Sequence, residues 1–396
     1  MENTFVKYLF STMVLLGIVS CNNDDNNTED PTDQILIEES EVIENYANLV
    51  LKNYQDSYDS AKTMQEAINT FVATPTEENF EASKKAWKAA REPYGQTEAF
   101  RFADGPIDDS DGPEGLLNAW PLDENYVDYV EGDANSGIIN DDTTYPTIDK
   151  ATLIGLNGPT EGTGEKNVSI GYHAIEFLLW GQDNTDPSAK EAGKRPYTDF
   201  VDGGTASNQD RRRDYLVACA ELLLDHLQLM IDEWKTDGPY RKTFLALDED
   251  VALKNMLGAI AELSASELAV ERMNTALDLA DQEDEHSCFS DNTHRDIILN
   301  FDGIANVYRG SYGSISGSSL EDLIAQKDPA VGAKITAQLK ATESLIDAIA
   351  IPFDFAISGG PNSTEGKKVR EAVLALQKLG DELTNGATSL GITLND

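Results

Sequence analysis

The alternation of apolar and polar positions is helical along almost the whole chain. Between Gln34 and Phe71, Val42, Tyr46, Leu49, Val50, Tyr54, Tyr58, Ala61, Met64, Ile68 and Phe71 recur mostly at steps of three and four. That spacing gathers apolar side chains on one helix face. "TPTEENF" (Thr74–Phe80) ends this helix and opens a second, with Thr76 as N-cap. The second runs to about Arg101, with Pro93 as a kink. "SIGYHAIEFLLWGQD" (Ser169–Asp183) predicts a third, with Ser169 as N-cap and Gly181 just past its end. "DRRRDYLVACAELLLDHLQLMIDEW" (Asp210–Trp234) predicts a fourth, and "KTDGPY" reads as a boundary after it. Four more helices follow over about 249–279, 292–309, 329–349 and 363–388, joined through "GSYGSISGSS" and "ISGGPNSTEG". Strand patterns are nearly absent. The expected fold is all-α, with two tandem four-helix bundles over 34–237 and 238–396. Residues 103–169 interrupt the first bundle with nine Gly, five Pro and only two Lys. An irregular insertion of that length is often functional. "NAWPLDENYVDYV" within it reads as a short helix.

The third helix carries the chemistry. His173, Glu176, Phe177 and Trp180 share one face, and Ile175, Leu178 and Leu179 the other. Both faces are mostly apolar, which predicts burial. A buried ionised Glu176 requires a cation, a donor or a proton. His173 lies in the first turn, where the helix dipole disfavours imidazolium, and neutral imidazole is the metal-binding form. Gly171 leaves room for a ligand or another backbone. The plainer reading is a pair that satisfies itself by a hydrogen bond.

Charge narrows the partners. The chain has 71 acidic and 30 basic residues, a net charge of −41. Nucleic acid is excluded as a partner, because its phosphates would be repelled. Tyr8–Val19 is apolar but too short to span a bilayer. It ends in "LGIVSC", similar to a bacterial lipobox, so residues 1–20 read as a lipoprotein signal peptide and Cys21 as the lipidated N-terminus. No Lys or Arg occurs between Cys21 and Leu51. Residues 21–33 form an acidic tether, and the run after Cys21 resembles a surface-export signal of Bacteroidetes lipoproteins. The expected location is the outer membrane, facing the periplasm or the cell surface, with the lipid as the membrane contact. Cys219 and Cys288 are permitted to pair there, or to remain buried thiols.

"WKAAREPYGQTEAFRF", "DGPID", "NAWPLDE", "GYHAIE" and "EDEHSCFSDNTHRD" occur in that order. Together they resemble the imelysin-like family, from about Ile35 to the C-terminus. The family's Gly-x-His-x-x-Glu motif is matched by Gly171, His173 and Glu176. The resemblance implies two helical bundles with a site between them, a bacterial envelope location and a link to iron uptake; one founding member was described as a peptidase.

The residues themselves offer less to a peptidase. There is no His-Glu-x-x-His, and Phe177 fills the second His position of an inverted motif. Zinc hydrolysis usually takes three protein ligands, while the only histidines are His173, His226, His286 and His294. His226 sits in an apolar helix and reads as a core or rim residue. What the chain does offer is carboxylates with an imidazole, which suits iron or another metal of intermediate hardness. The expected metal ligands are His173, Glu176 and Glu98, the last from late in the second helix. Arg101 shares a face with Glu98 and would orient it. Gly171, Glu267 and Arg272 complete the expected binding set. Glu271 and the Glu283-x-x-His286 step, similar to that of di-iron bundles, are further candidates. The leading expectation is a lipid-anchored protein that binds a divalent or ferric metal ion, iron foremost, between two bundles. It would act in iron acquisition, without catalysis, beside envelope iron-transport components. The alternatives are a metallopeptidase using His173 and Glu176, and a peptide or small-ligand module without metal.

Overall fold

Why eight separate amphipathic stretches fold together is visible in which faces they bury. The computed structural model describes residues 36–158 and 166–394. The signal peptide, the tether and Cys21 lie outside the described residues. The helices that build the core are α1 (Glu39–Ala73), α2 (Glu77–Tyr94), α3 (Tyr172–Trp180), α4 (Gln209–Trp234), α5 (Glu249–Glu262), α6 (Thr293–Arg309), α7 (Leu320–Lys327), α8 (Pro329–Ile346), α9 (Phe353–Ile357) and α10 (Thr364–Ser389). The fold is all-α: the only strands among the described residues are the two-residue pairs Ser311–Tyr312 and Ile315–Ser316.

α1 lies along α2 and α4, and α3 packs between α2 and α4. α8 and α10 pack together, and α10 also covers α5 and its continuation. The two groups share a seam where α6 meets α2 and the 3₁₀ turn Gly95–Phe100. Ile37–Asp396 forms one compact unit. After the boundary expected at residue 238, Pro239–Phe244 still packs on the first group: Phe244 meets Tyr46 and Trp234 with ring centroids 5.3 Å apart in each case.

Local signals explain some of the helix ends. Thr76 caps α2, its hydroxyl accepting from the Asn79 amide at 3.3 Å. After Pro93 the helix tightens into the 3₁₀ turn that carries Glu98. At α3 the expected cap is corrected. Gly171, not Ser169, is the N-cap, with φ +90° and ψ −172°. The Ser169 hydroxyl is turned away and donates to the Leu153 carbonyl at 2.8 Å. A Cβ at residue 171 would lie 2.7 Å from the Leu117 carbonyl oxygen. The close approach that glycine allows here is therefore to backbone of the insertion. Among the described residues of that insertion, the helices are short pieces, at Glu114–Leu117, Glu124–Val127 and Lys150–Leu156.

α5 does not end as a plain α-helix. It continues as a π-helix, Leu263–Asn274, and then as Thr275–Leu279. π-helical turns are rare and concentrate at functional sites.

Candidate functional site

α3 is buried on all sides, as its two apolar faces predict. His173 is 1% exposed and Glu176 is fully buried. His173 Nδ1 and Glu176 Oε2 are hydrogen-bonded at 2.8 Å. The other oxygen, Oε1, accepts from both the amide (3.0 Å) and the hydroxyl (2.7 Å) of Ser290. Burial pushes the Glu176 carboxyl up to about 8, against the pull of the Ser290 donors. Burial and the nearby Arg91 guanidinium push His173 down to about 3, so its imidazole is neutral. Its Nε2 is buried and has no hydrogen-bond partner.

A second imidazole faces the first. The rings of His173 and His286 meet edge to face, with centroids 4.6 Å apart at 74°. His286 repeats the pattern: Nδ1 is hydrogen-bonded to Asp296 Oδ2 at 3.0 Å. Burial and Arg272 push His286 down to about 3 as well. Asp296 also accepts from the Ser287 hydroxyl at 2.5 Å and from Arg91 Nη2 at 3.1 Å. Burial would raise its carboxyl, but Arg91 and the His286 and Ser287 hydrogen bonds hold it well below the usual range. The outer side of His286 is covered by the Trp120 ring at 5.8 Å.

A chain of buried hydrogen bonds continues across the seam. Arg91 Nη1 donates to Asn118 Oδ1 at 2.6 Å, and Asn118 Nδ2 donates to Glu98 Oε1 at 2.9 Å. Arg272 Nη2 donates to Glu98 Oε2 at 2.8 Å, and Arg272 Nε to Glu267 Oε1 at 3.0 Å. Arg272 Nη1 donates to Asn300 Oδ1 at 2.8 Å. Arg101 Nη1 donates to Glu267 at 3.2 Å and lies 3.7 Å from Glu114. Burial would raise Glu98, but Arg272 and Arg101 hold it below its ordinary value. Burial pushes Glu114 up to about 7 despite Arg101. The centre is thus two neutral imidazoles flanked by buried Arg–carboxylate pairs.

This chemistry sits in a chain that a family model, described as Imelysin (Peptidase_M75), matches over residues 50–383. The chain belongs to the imelysin family. It is 26% identical to iron-regulated protein A of Synechococcus elongatus over 347 residues, 85% of this chain and 82% of that protein. Two solved structures share the imelysin fold. A candidate iron-regulated protein A precursor from Parabacteroides distasonis matches with TM-score 0.66 at 20% identity, covering 88% of this chain and 94% of that one. An imelysin-like protein from Psychrobacter arcticum matches with TM-score 0.64 at 12% identity, covering 91% and 100%.

Within this imelysin, the structure brings His173 and Glu176 together and joins Glu98, Arg101, Glu267 and Arg272 into one neighbouring network. Both oxygens of Glu98 are taken by Asn118 and Arg272 rather than turned to His173. Among the described residues, no three His, Cys, Asp or Glu side chains are grouped to hold a metal ion. Glu271 and Glu283 are exposed. Cys219 and Cys288 are both free and buried. His226 is buried, with Nδ1 unpartnered. Sequence reasoning named His286 only beside Glu283 and missed Asp296, Arg91, Asn118 and Ser290. Two clues were present: Arg91 amid the aromatic residues of "WKAAREPYG", and Asp296 in the first turn of an otherwise apolar-faced helix.

Proposed function

We propose that this imelysin is an envelope-anchored binding protein of iron acquisition, with no hydrolytic step of its own, and that iron is its cargo at the His173–His286 pair. The observation that carries this is the matched state of the two rings. Each imidazole has Nδ1 on a carboxylate, Glu176 or Asp296, and the Nε2 of His173 is buried without a partner. A carboxylate on one ring nitrogen is the usual support of a metal-ligating histidine, since it fixes the tautomer and the ring orientation. The donors fit iron in kind. They are too few to complete a coordination sphere, so the remaining donors come from outside the chain, as water or the oxygens of a small chelator. Glu176 and Asp296 then orient the rings, and Arg91 balances the charge of Asp296. The relative named iron-regulated protein A supports the link to iron. The sequence holds no His-Glu-x-x-His, which supports binding over zinc peptidase action. The lipobox before Cys21 supports anchoring in the envelope.

The test is anaerobic loading with ferrous iron, desalting and elemental analysis. The wild type is expected to retain iron, and His173→Ala and His286→Ala to lose it. Equal retention in all three overturns the reading. Anchoring is tested by fractionation, with Cys21→Ala expected to release the protein from the membrane.

A further inference from the structure

The loop between Leu279 and α6 has two working sides. His286, Ser287 and Ser290 face the imidazole centre. Glu285 and Asp291, from the same loop, join a different cluster. There they meet Asp183, three residues past the end of α3, and Asp354, in the first turn of α9. All four carboxyls are buried, Glu285 to 1% and Asp354 to 2% exposure. Three segments far apart in sequence thus place four acids together inside the protein. The fields of Asp354, Asp291 and Asp183 all fall on Glu285. Asp291 in turn feels the fields of Asp354 and Asp183. The nearby cations are Lys190, which acts on Asp354 but sits over the Phe355 ring, Lys194 by Asp183 and Lys88 by Asp291.

The second observation is independent of the clustering. No hydrogen bond of ordinary geometry reaches either oxygen of Glu285 or of Asp354, all four of them buried, although the Thr293 side chain pulls on the first carboxyl and the Phe355 amide on the second. Buried polar groups are nearly always paired, and an unpaired carboxylate is among the costliest exceptions. Four such oxygens on two mutually repelling side chains call for a positive counter-charge.

We propose that Glu285 and Asp354 bind a hard divalent cation, Ca²⁺ or Mg²⁺, with Asp183 and Asp291 as the surrounding charge. Such ions take oxygen donors, and Mg²⁺ in particular uses one or two carboxylates and fills its sphere with water. Bound there, the ion ties the 285–291 loop to α9 and to the end of α3. It thereby holds the opposite side of the loop, with His286 and Ser290, in register with Glu176.

The test uses the full chain, stripped with EDTA and dialysed at pH 7.5. Thermal melting is followed with added CaCl₂, MgCl₂ or matched ionic strength as NaCl. The wild type is expected to melt higher with one of the divalent ions than with NaCl. Glu285→Gln/Asp354→Asn is expected to lose that difference and, without divalent ions, to melt at or above the wild type. Glu176→Gln is expected to keep the difference, so failure here and failure of the imidazole centre are separately visible. Elemental analysis of the dialysed wild type gives a second reading that does not depend on the variant folding. No divalent-specific shift and no retained ion overturns the proposal. An equal shift in the double variant also overturns it, since the ion would then act on the acidic surface.

Discussion

His173 and His286 come from opposite ends of the sequence's midsection and meet ring to ring, each with its Nδ1 fixed by a carboxylate. One carboxylate comes from α3 and the other from α6, so the pair exists only when the two helices are docked. Truncating His173 separates a packing role from a binding role. His173→Ala leaves Glu176 Oε2 without its partner, which is expected to lower stability by about 1–3 kcal/mol. If the pair also holds iron, the wild type gains stability with ferrous iron by mass action and the variant does not. Melting curves with and without iron check both parts. An iron-dependent shift retained in His173→Ala would remove the ring from the binding centre.

Arg91 is the counter-charge of Asp296, and both are buried. Removing one partner of such a pair strands the other. Arg91→Met is expected to lose about 3–5 kcal/mol. Adding Asp296→Asn should recover part of that loss, because the stranded charge is gone. Denaturant titration of the two single variants and the double variant measures the coupling. Additive losses would mean that the two side chains do not interact.

Glu114 gives a pH dependence with a defined sign. Its carboxyl is raised by burial from 4.5 to about 7 in the folded state. Between those values the folded protein holds a proton that the unfolded chain has lost. Its contribution therefore stabilises below pH 4.5 and is lost as pH rises toward 7. Glu114→Gln is expected to flatten the fall in stability between pH 5 and pH 7 relative to wild type, by on the order of 1 kcal/mol per pH unit at most. Parallel stability–pH curves for the two proteins would contradict this.

At Gly171 both backbone and space exclude a side chain. Gly171→Ala forces φ +90° on a residue with Cβ and drives that Cβ toward the Leu117 carbonyl. A loss of about 1–3 kcal/mol is expected. A variant as stable as wild type would mean that the insertion shifts freely away from α3.

How much of this the sequence carries depends on the range of the interaction. Helical periodicity is local, and the eight expected helices are present, with their ends near the capping residues. The burial of α3 was legible for the same reason, because two apolar faces leave nothing for solvent. The N-cap was not. Ser169 has the better side chain, yet the approach of Leu117 and the left-handed backbone at Gly171 decide the start, and both are tertiary facts. His173 and Glu176 were legible as a motif within one turn. Their extensions were not: Arg91 meets Asp296, 205 residues on, and Arg272 meets Glu98, 174 residues back. Nothing in either local segment encodes such a pairing. Glu98 was placed in the right neighbourhood but given the wrong partner, because its neutralising arginine lies on a helix whose geometry departs from α.

That departure sets how Arg272 is aimed. Glu267 and Arg272 are five residues apart and hydrogen-bonded, a separation suited to a π-turn and not to an α-turn. The stretch behaves as though one residue had been inserted into an older α-helix. Winding the stretch as a regular α-helix at its present length would swing everything after it by about 100°. Arg272 would then leave Glu98. The winding of one helix, far from the histidines in sequence, thus decides whether Glu98 keeps its Arg272 counter-charge.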